Sequence, residues 1–225
     1  MKKVIVSWSG GKDSALALHR LLNHPEYEVK GLLSTTSEAS GRLPMHEVKR
    51  ELIQEQAESL GLPLYEVKLP ANADNSTYEQ RLKEQFGHFK EQDIHTIVHA
   101  DLFLEDIKAY RVKHLKKAGM EGIFPLWKED TGKIANEFIN EGFEAIVTSI
   151  DAYKLSEEFA GKLFNQDFLN TLPPGIDPCG ENGEFHSFVF NGPPFKKKMA
   201  VRPGRRFETT SGSFLHVELE KINEY

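Results

Sequence analysis

The chain has 225 residues, 39% of them hydrophobic and 28% charged, and its 34 acidic against 28 basic side chains give a formal charge of −6. A chain of this size buries roughly 70% of its unfolded surface, so one or two domains can form without a disulfide or a structural metal. It has no 18-residue apolar run, and the charge balance argues against a broad polyanion-binding surface.

The elements follow in chain order. Residues 2–8 form a short apolar run rich in β-branched side chains, which predicts a strand. It leads directly into Ser9-Gly10-Gly11-Lys12-Asp13-Ser14. Ala15, Leu16, Leu18, Leu21 and Leu22 then recur at helical spacing until Asn23-His24-Pro25 stops the helix. The unit repeats: strand 27–36, helix 47–60 with Val48, Leu52, Ala57 and Leu60 inward and Gly61 as its stop, strand 64–69, and charged helix 77–91. After these come strand 96–99, helix 105–118 closed by Gly119, strand 122–126, helix 133–141 capped by Asp130 or Thr131, and strand 145–150.

Strands alternating with single helices imply parallel pairing through right-handed crossovers, so residues 1–151 are expected to form a doubly wound parallel α/β sheet. Beyond Asp151 the pattern changes to a helix over 157–172, a Pro173-Pro174-Gly175 break, and strand-like pieces at 185–190, 198–202 and 213–221. A smaller C-terminal α+β domain, 152–225, is expected there.

In an open parallel sheet, ligands bind outside the carboxyl ends of the strands, and the first strand-to-helix turn can present backbone N–H groups to phosphate. Gly10 and Gly11 remove side chains that would hold an anion away. Ser9 and Ser14 add hydroxyls, and Lys12 adds a cation. Asp13 reads either as a Mg2+ or water ligand or as an acidic charge in the first helical turn. The chain contains neither the Walker loop of kinase-type enzymes nor the dinucleotide fingerprint.

SGGKDS between a strand and a helix resembles the phosphate loop of the N-type ATP pyrophosphatases, which have the Rossmann-like fold of the adenine nucleotide alpha hydrolase-like superfamily. A second motif, GIDPCGENGEFHS over residues 175–187, resembles the signature of the diphthine–ammonia ligase family. Thr35 and His46 resemble family positions near the nucleotide, Ala100-Asp101-Leu102 a Gly-Asp-Ile stretch, and Pro125-Leu126-Trp127 a P-[LA]-W stretch. Arg111 falls on the helix after Asp101, and Phe159-Ala160-Gly161-Lys162 resembles a Leu-Gly-Arg stretch. Ala100 for Gly and Lys162 for Arg are departures, and lysine does not reproduce a bidentate guanidinium fork.

The resemblance implies a cytoplasmic, AMP-forming amide ligase: ATP adenylates a carboxylate, ammonia attacks, and AMP and pyrophosphate leave. Under it, Lys12, Asp13, Glu184 and His186 are the expected catalytic residues. ATP is met by Ser9, Gly10, Gly11, Lys12, Asp13, Ser14, Thr35, His46 and Asp101. Substrate is met by Arg111, Trp127, Lys162, Glu181, Asn182, Gly183 and Glu184. ATP and Mg2+ are the implied cofactors, and the implied carboxylate is that of diphthine, a modified histidine on a translation elongation factor. Quaternary structure is not legible, and a homo-oligomer stays open.

Single residues also have plainer readings. Glu181 and Glu184, three apart in a glycine-rich loop, either converge on a cation or belong to a solvated acidic loop. His186 reads as an acid–base group, a substrate contact or a structural histidine. His95 and His99 on a strand stand about 13 Å apart, too far for one ion. Cys179 is the one cysteine, which fits a reducing compartment and, with no evident base beside it, reads as structural. Lys2 and Lys3 precede too short an apolar run for a signal peptide. Lys196, Lys197, Lys198, Arg202, Arg205 and Arg206 form a basic run, read as a solvated hairpin or as a docking surface for RNA or an acidic protein. The other functional readings are a tRNA-modifying adenylase and a non-catalytic ATP-binding module of the same fold.

Overall fold

The computed structural model describes residues 1–71, 73–209 and 214–222. Five strands, β1 (Lys2–Ser7), β2 (Tyr27–Ser37), β3 (Leu64–Leu69), β4 (Thr96–Val98) and β5 (Glu121–Ile123), make a parallel sheet in the order β3-β2-β1-β4-β5. Helices α1 (Lys12–Leu22), α2 (Arg50–Leu60), α3 (Asn75–Glu91) and α4 (Glu105–Lys117) make the crossovers. Alternation along β1 divides the core: Val4 and Val6 pack with the α1 and α2 side chains, whereas Ile5 joins Phe86 and Phe89 of α3 and Leu115 of α4. The sheet is therefore covered on both faces, as expected.

Most element bounds fall within a few residues of the expectation. Gly61 ends α2 at φ 69°, a conformation that glycine adopts without strain, and Asp130 caps α5 (Thr131–Asn140) by accepting from the Lys133 N–H. Helix α2 starts at Arg50, later than the expected 47. Pro44 begins a tight turn closed by Leu43 N–H to the Val48 carbonyl, and Met45 and Glu47 on either side of His46 both take positive φ.

The strand expected to complete the parallel sheet does not lie in it. Strand β6 (Glu144–Asp151) pairs antiparallel with β7 (Phe185–Asn191) and β9 (Phe214–Lys221) in a second sheet of order β7-β6-β9-β8, with β8 (Val201–Glu208) at its edge. An unbroken buried run marks a central strand but carries no record of its neighbours' direction. The change of sheet falls between Ile123 and Glu144 and not after Asp151.

The expected helix 157–172 is also broken. A single 3-10 turn (Glu157–Phe159) ends before Gly161 at φ 88°, and the chain then runs extended along β6, with Gly161 N–H on the Val147 carbonyl and Phe164 N–H on the Ala145 carbonyl. Asn165 caps a new short helix, α6 (Gln166–Thr171). Strand β8 runs through Pro203-Gly204, where the register slips, which an edge strand tolerates. Ser213, the expected start of the last strand, lies outside the described residues.

Candidate active site

The SGGKDS loop leaves the carboxyl end of β1, the strand that separates β2 from β4, and so occupies the crevice where the strand order reverses. Gly11 is the N-cap of α1 and contributes no side-chain cap. Gly10 sits at φ 76°, and a Cβ there would stand 2.6 Å from Gln56 Oε1 and 2.7 Å from Ile53 Cδ1. Gly10→Ala is therefore expected to displace the loop. The left-handed backbone costs roughly 1–2 kcal/mol and the overlap adds to it. A KM for ATP raised roughly tenfold or more would show the effect, and an unchanged KM would refute it.

The second motif closes over this loop. The Lys12 ammonium is buried; it donates to Asp13 Oδ2 at 2.9 Å and to the Cys179 carbonyl, and lies 5.3 Å from the Phe185 ring centroid. Burial opposes its charge, but Asp13, Cys179 and Glu181 outweigh this and raise its pKa. Burial likewise pushes the Asp13 carboxyl up, against the pull of Lys12. The Lys12 N–H meets Ser187 Oγ at 3.2 Å, and Val189 of β7 donates its N–H to the Gly10 carbonyl at 2.9 Å. The cation expected for phosphate is thus committed to joining the two motifs.

A cavity of about 510 Å3 lies between them. Of the expected residues, Ser9, Gly11, Lys12, Asp13, Ser14, Thr35, His46, Asp101, Arg111, Glu181, Gly183 and His186 line it. Glu181 Oε1 accepts from the Leu102 N–H at 2.8 Å and the Phe103 N–H at 3.4 Å, which ties the C-terminal loop to the end of β4. Burial, helped by the Asp13 charge, pushes the Glu181 carboxyl up to about 7. Asp101 and Arg111 form an ion pair at 2.8 Å.

Five expected residues do not line the cavity: Gly10, which packs against Gln56, and four others. The Trp127 ring lies beneath Lys108 Nζ at 4.1 Å, and Lys162 Nζ sits over Phe159 at 4.5 Å. Asn182 is exposed and donates its amide to Glu184. Glu184 is 2% exposed, and its Oε1 accepts the Asp177 N–H and the Asn182 amide, both at 3.2 Å. The two glutamates therefore do not converge: one bonds to the end of β4 and the other braces its own loop. Glu184→Ala is expected to destabilise the fold by about 1–3 kcal/mol through the unpaired Asp177 N–H, measured by urea unfolding; stability equal to wild type would contradict the bracing role.

His46 and His186 pack at 4.4 Å between ring centroids with their planes tilted by 41°. Burial first, then the charges of Lys12 and His216, lowers His46 to about 4, and burial with His46 beside it takes His186 well below its ordinary value. Both shifts favour the neutral imidazole, which weighs against His186 as a charged acid. The His46 turn is anchored by Arg42 and Lys49 on Glu218 of β9, at 2.6 and 2.9 Å. Of the two histidines read as too far apart for one ion, His95 is half exposed and His99 lines the cavity. Among the described residues, three of the six in the basic run are in ion pairs: Lys198, Arg202 and Arg206 pair with Glu144, Glu220 and Glu157 at 2.7, 3.0 and 3.7 Å.

Sequence reasoning missed Tyr78, His99, Tyr110 and His114 on the cavity wall, and Gln56 and Ser187 behind the loop. Gln56 had a signal: it interrupts the apolar stripe Leu52, Ile53, Ala57, Leu60 of α2.

Residues 2–122 match the family model of the diphthamide synthase N-terminal domain, and residues 130–222 that of the diphthamide synthase C-terminal domain. Among curated proteins, the diphthine–ammonia ligase of Schizosaccharomyces pombe is 28% identical over 241 aligned positions, covering 97% of this chain and 39% of that protein. Those of Danio rerio and Rattus norvegicus are each 26% identical, covering 88% and 86% of this chain and 86% and 80% of theirs. The chain thus spans about two-fifths of the fission-yeast relative's length but most of the vertebrate ones. A crystal structure described as a "predicted subunit of tRNA methyltransferase" from Methanocaldococcus jannaschii is similar at TM-score 0.42 and 18% identity, covering 66% of this chain and 80% of that one, too loosely to bear on function.

Proposed function

The chain belongs to the diphthamide synthase family, and from that membership and its cleft we propose that it is an ATP-dependent amide ligase that joins ammonia to a carboxylate and releases AMP and pyrophosphate. One observation carries this reading. Two motifs far apart in sequence line one cavity, and the Lys12 ammonium is held at once by Asp13 of the first and the Cys179 carbonyl of the second.

The uncapped start of α1 and the Gly11 N–H receive the phosphates of ATP. A carboxylate oxygen of the substrate attacks the α-phosphorus, an O–P bond forms, and the bond to the β-phosphate oxygen breaks with pyrophosphate leaving. The ammonia nitrogen then attacks the acyl carbon, the C–N bond forms, and the C–O bond to AMP breaks. Glu181, whose carboxyl is pushed up to about 7 in the cavity wall, is placed to take the proton from ammonium that frees this nucleophile. Arg111, ordered by Asp101, supplies the cation for the incoming carboxylate. Mg2+ travelling with ATP would neutralise phosphate charge; Asp13 Oδ1, which has no hydrogen-bond partner, fits as its one carboxylate contact.

We take the carboxylate to be that of diphthine carried on a translation elongation factor, by likeness to the relatives' named activity. Half of the basic run is held in ion pairs with the chain's own glutamates among the described residues, which weakens the case for a tRNA substrate. Among the described residues no helix is long and apolar enough to cross a membrane, and we place the enzyme in the cytoplasm. Incubation with ATP, Mg2+, ammonium and the diphthine-bearing factor should yield AMP, pyrophosphate and the amide in equal amounts; ADP in place of AMP would sink the proposal.

A further inference from the structure

Gln56 lies on the core face of α2 and is fully enclosed. All of its carboxamide is engaged. Oε1 accepts from the Trp8 indole N–H at 2.9 Å, and Nε2 donates to the Gly10 carbonyl at 3.0 Å and to the Val189 carbonyl at 2.6 Å. A buried amide is costly unless its bonds are made, and leucine would continue the same stripe without that cost. The amide must be understood through what it holds.

It holds one peptide plane. The Gly10 carbonyl takes a second donor, the Val189 N–H, so it is clamped from α2 and β7 together. A trans peptide carries its C=O and N–H on opposite sides. With the Gly10 oxygen fixed to this wall, the Gly11 N–H is turned the other way, toward Ser9 Oγ at 3.3 Å and the cavity that both residues line. Gly10 has no room for a side chain because the Gln56 amide fills that space.

We propose that Gln56 is the positioning residue of the phosphate loop, presetting the Gly11 amide for the pyrophosphate end of ATP by locking the Gly10 carbonyl to β7. This inference rests on the ATP reading above. Preorganisation lowers the cost of binding, so its loss appears in affinity for phosphate and not in the chemical step at saturating ATP.

The test is calorimetric titration of the full chain with inorganic pyrophosphate and with ATP, together with steady-state kinetics, for wild type, Gln56→Met and Gln56→Glu. Gln56→Met keeps the length and loses both donors. Its Kd for pyrophosphate and KM for ATP are expected to rise roughly tenfold or more, with kcat within about threefold and the KM for the acyl acceptor unchanged. In Gln56→Glu the carboxyl must be protonated to donate to either carbonyl. Its pyrophosphate affinity should approach wild type near about pH 5 and fall behind it by about pH 8. A folded Gln56→Met that binds both ligands like wild type overturns the assignment. So does a Gln56→Glu whose affinity relative to wild type is flat across pH, and that series decides the matter if Gln56→Met does not fold. Wild type that binds neither ligand would instead count against the ATP reading, visible before any variant is compared.

Discussion

Lys12→Ala is expected to abolish AMP and pyrophosphate release and to destabilise the fold by about 3–5 kcal/mol. Its ammonium is a fully enclosed charge with two acceptors, Asp13 Oδ2 and the Cys179 carbonyl, packed against the rings of Phe185 and Phe164. Truncation strands the Asp13 carboxylate, which burial already holds high, and also removes the positive charge near Glu181. The C-terminal motif then loses a tie to the loop in addition to the cleft losing a cation. Denaturant unfolding and chromatographic quantification of AMP check both halves. A Lys12→Ala protein of wild-type stability would mean that the two motifs are held together without this bridge.

Glu181→Gln should separate stability from catalysis. Its folded carboxyl lies near 7 against an ordinary 4.5, because burial and the Asp13 charge outweigh the help of the Leu102 N–H and Lys12. The folded state therefore keeps a proton that the unfolded chain has already released. Glu181's own contribution to wild-type stability is fully present below about pH 4.5, falls as pH rises and is lost above about 7. Glutamine removes that dependence. Discounted for partial exposure, the variant is expected to be about 1–3 kcal/mol more stable than wild type at pH 8 and no more stable at pH 4. Its rate with ammonium at pH 7.5 should fall roughly 100-fold, whereas hydroxylamine, already uncharged, should still capture the acyl adenylate. Equal losses with both nucleophiles would exclude Glu181 as the proton acceptor.

Much of the fold was legible because the parallel units announce themselves. Strand 64–69, the Gly61 stop and the Asp130 cap are local signals with local causes. The failures are nonlocal. Strand β6 is as apolar as any parallel strand, and only the later arrival of β7 and β9 sets its sheet. Residues 157–172 have helical composition, but their middle, 161–164, is drawn out by hydrogen bonds to β6 at Val147 and Ala145. In the site, glycines and backbone-contacting residues were readable from type and spacing. Glu184 was not: a carboxylate in a glycine-rich loop looks the same in sequence whether it faces a substrate or two amides of its own loop. Gln56 shows in sequence only as a polar break in the α2 stripe, and what it holds appears only with the partner strand.

The contact between β7 and the phosphate loop also bears on the order of synthesis. Gly10 and Lys12 leave the ribosome early, but the hydroxyl that meets the Lys12 N–H belongs to Ser187, 175 residues later. Long-range closure of this kind is slow and comes after local helices and neighbouring strands have formed. A nascent chain carrying the complete SGGKDS motif would therefore not yet bind nucleotide, and competence would appear abruptly once β7 has emerged. Ribosome-stalled chains with residue 191 still inside the exit tunnel, and with it well clear of the tunnel, would show that step as a sudden gain in ATP retention.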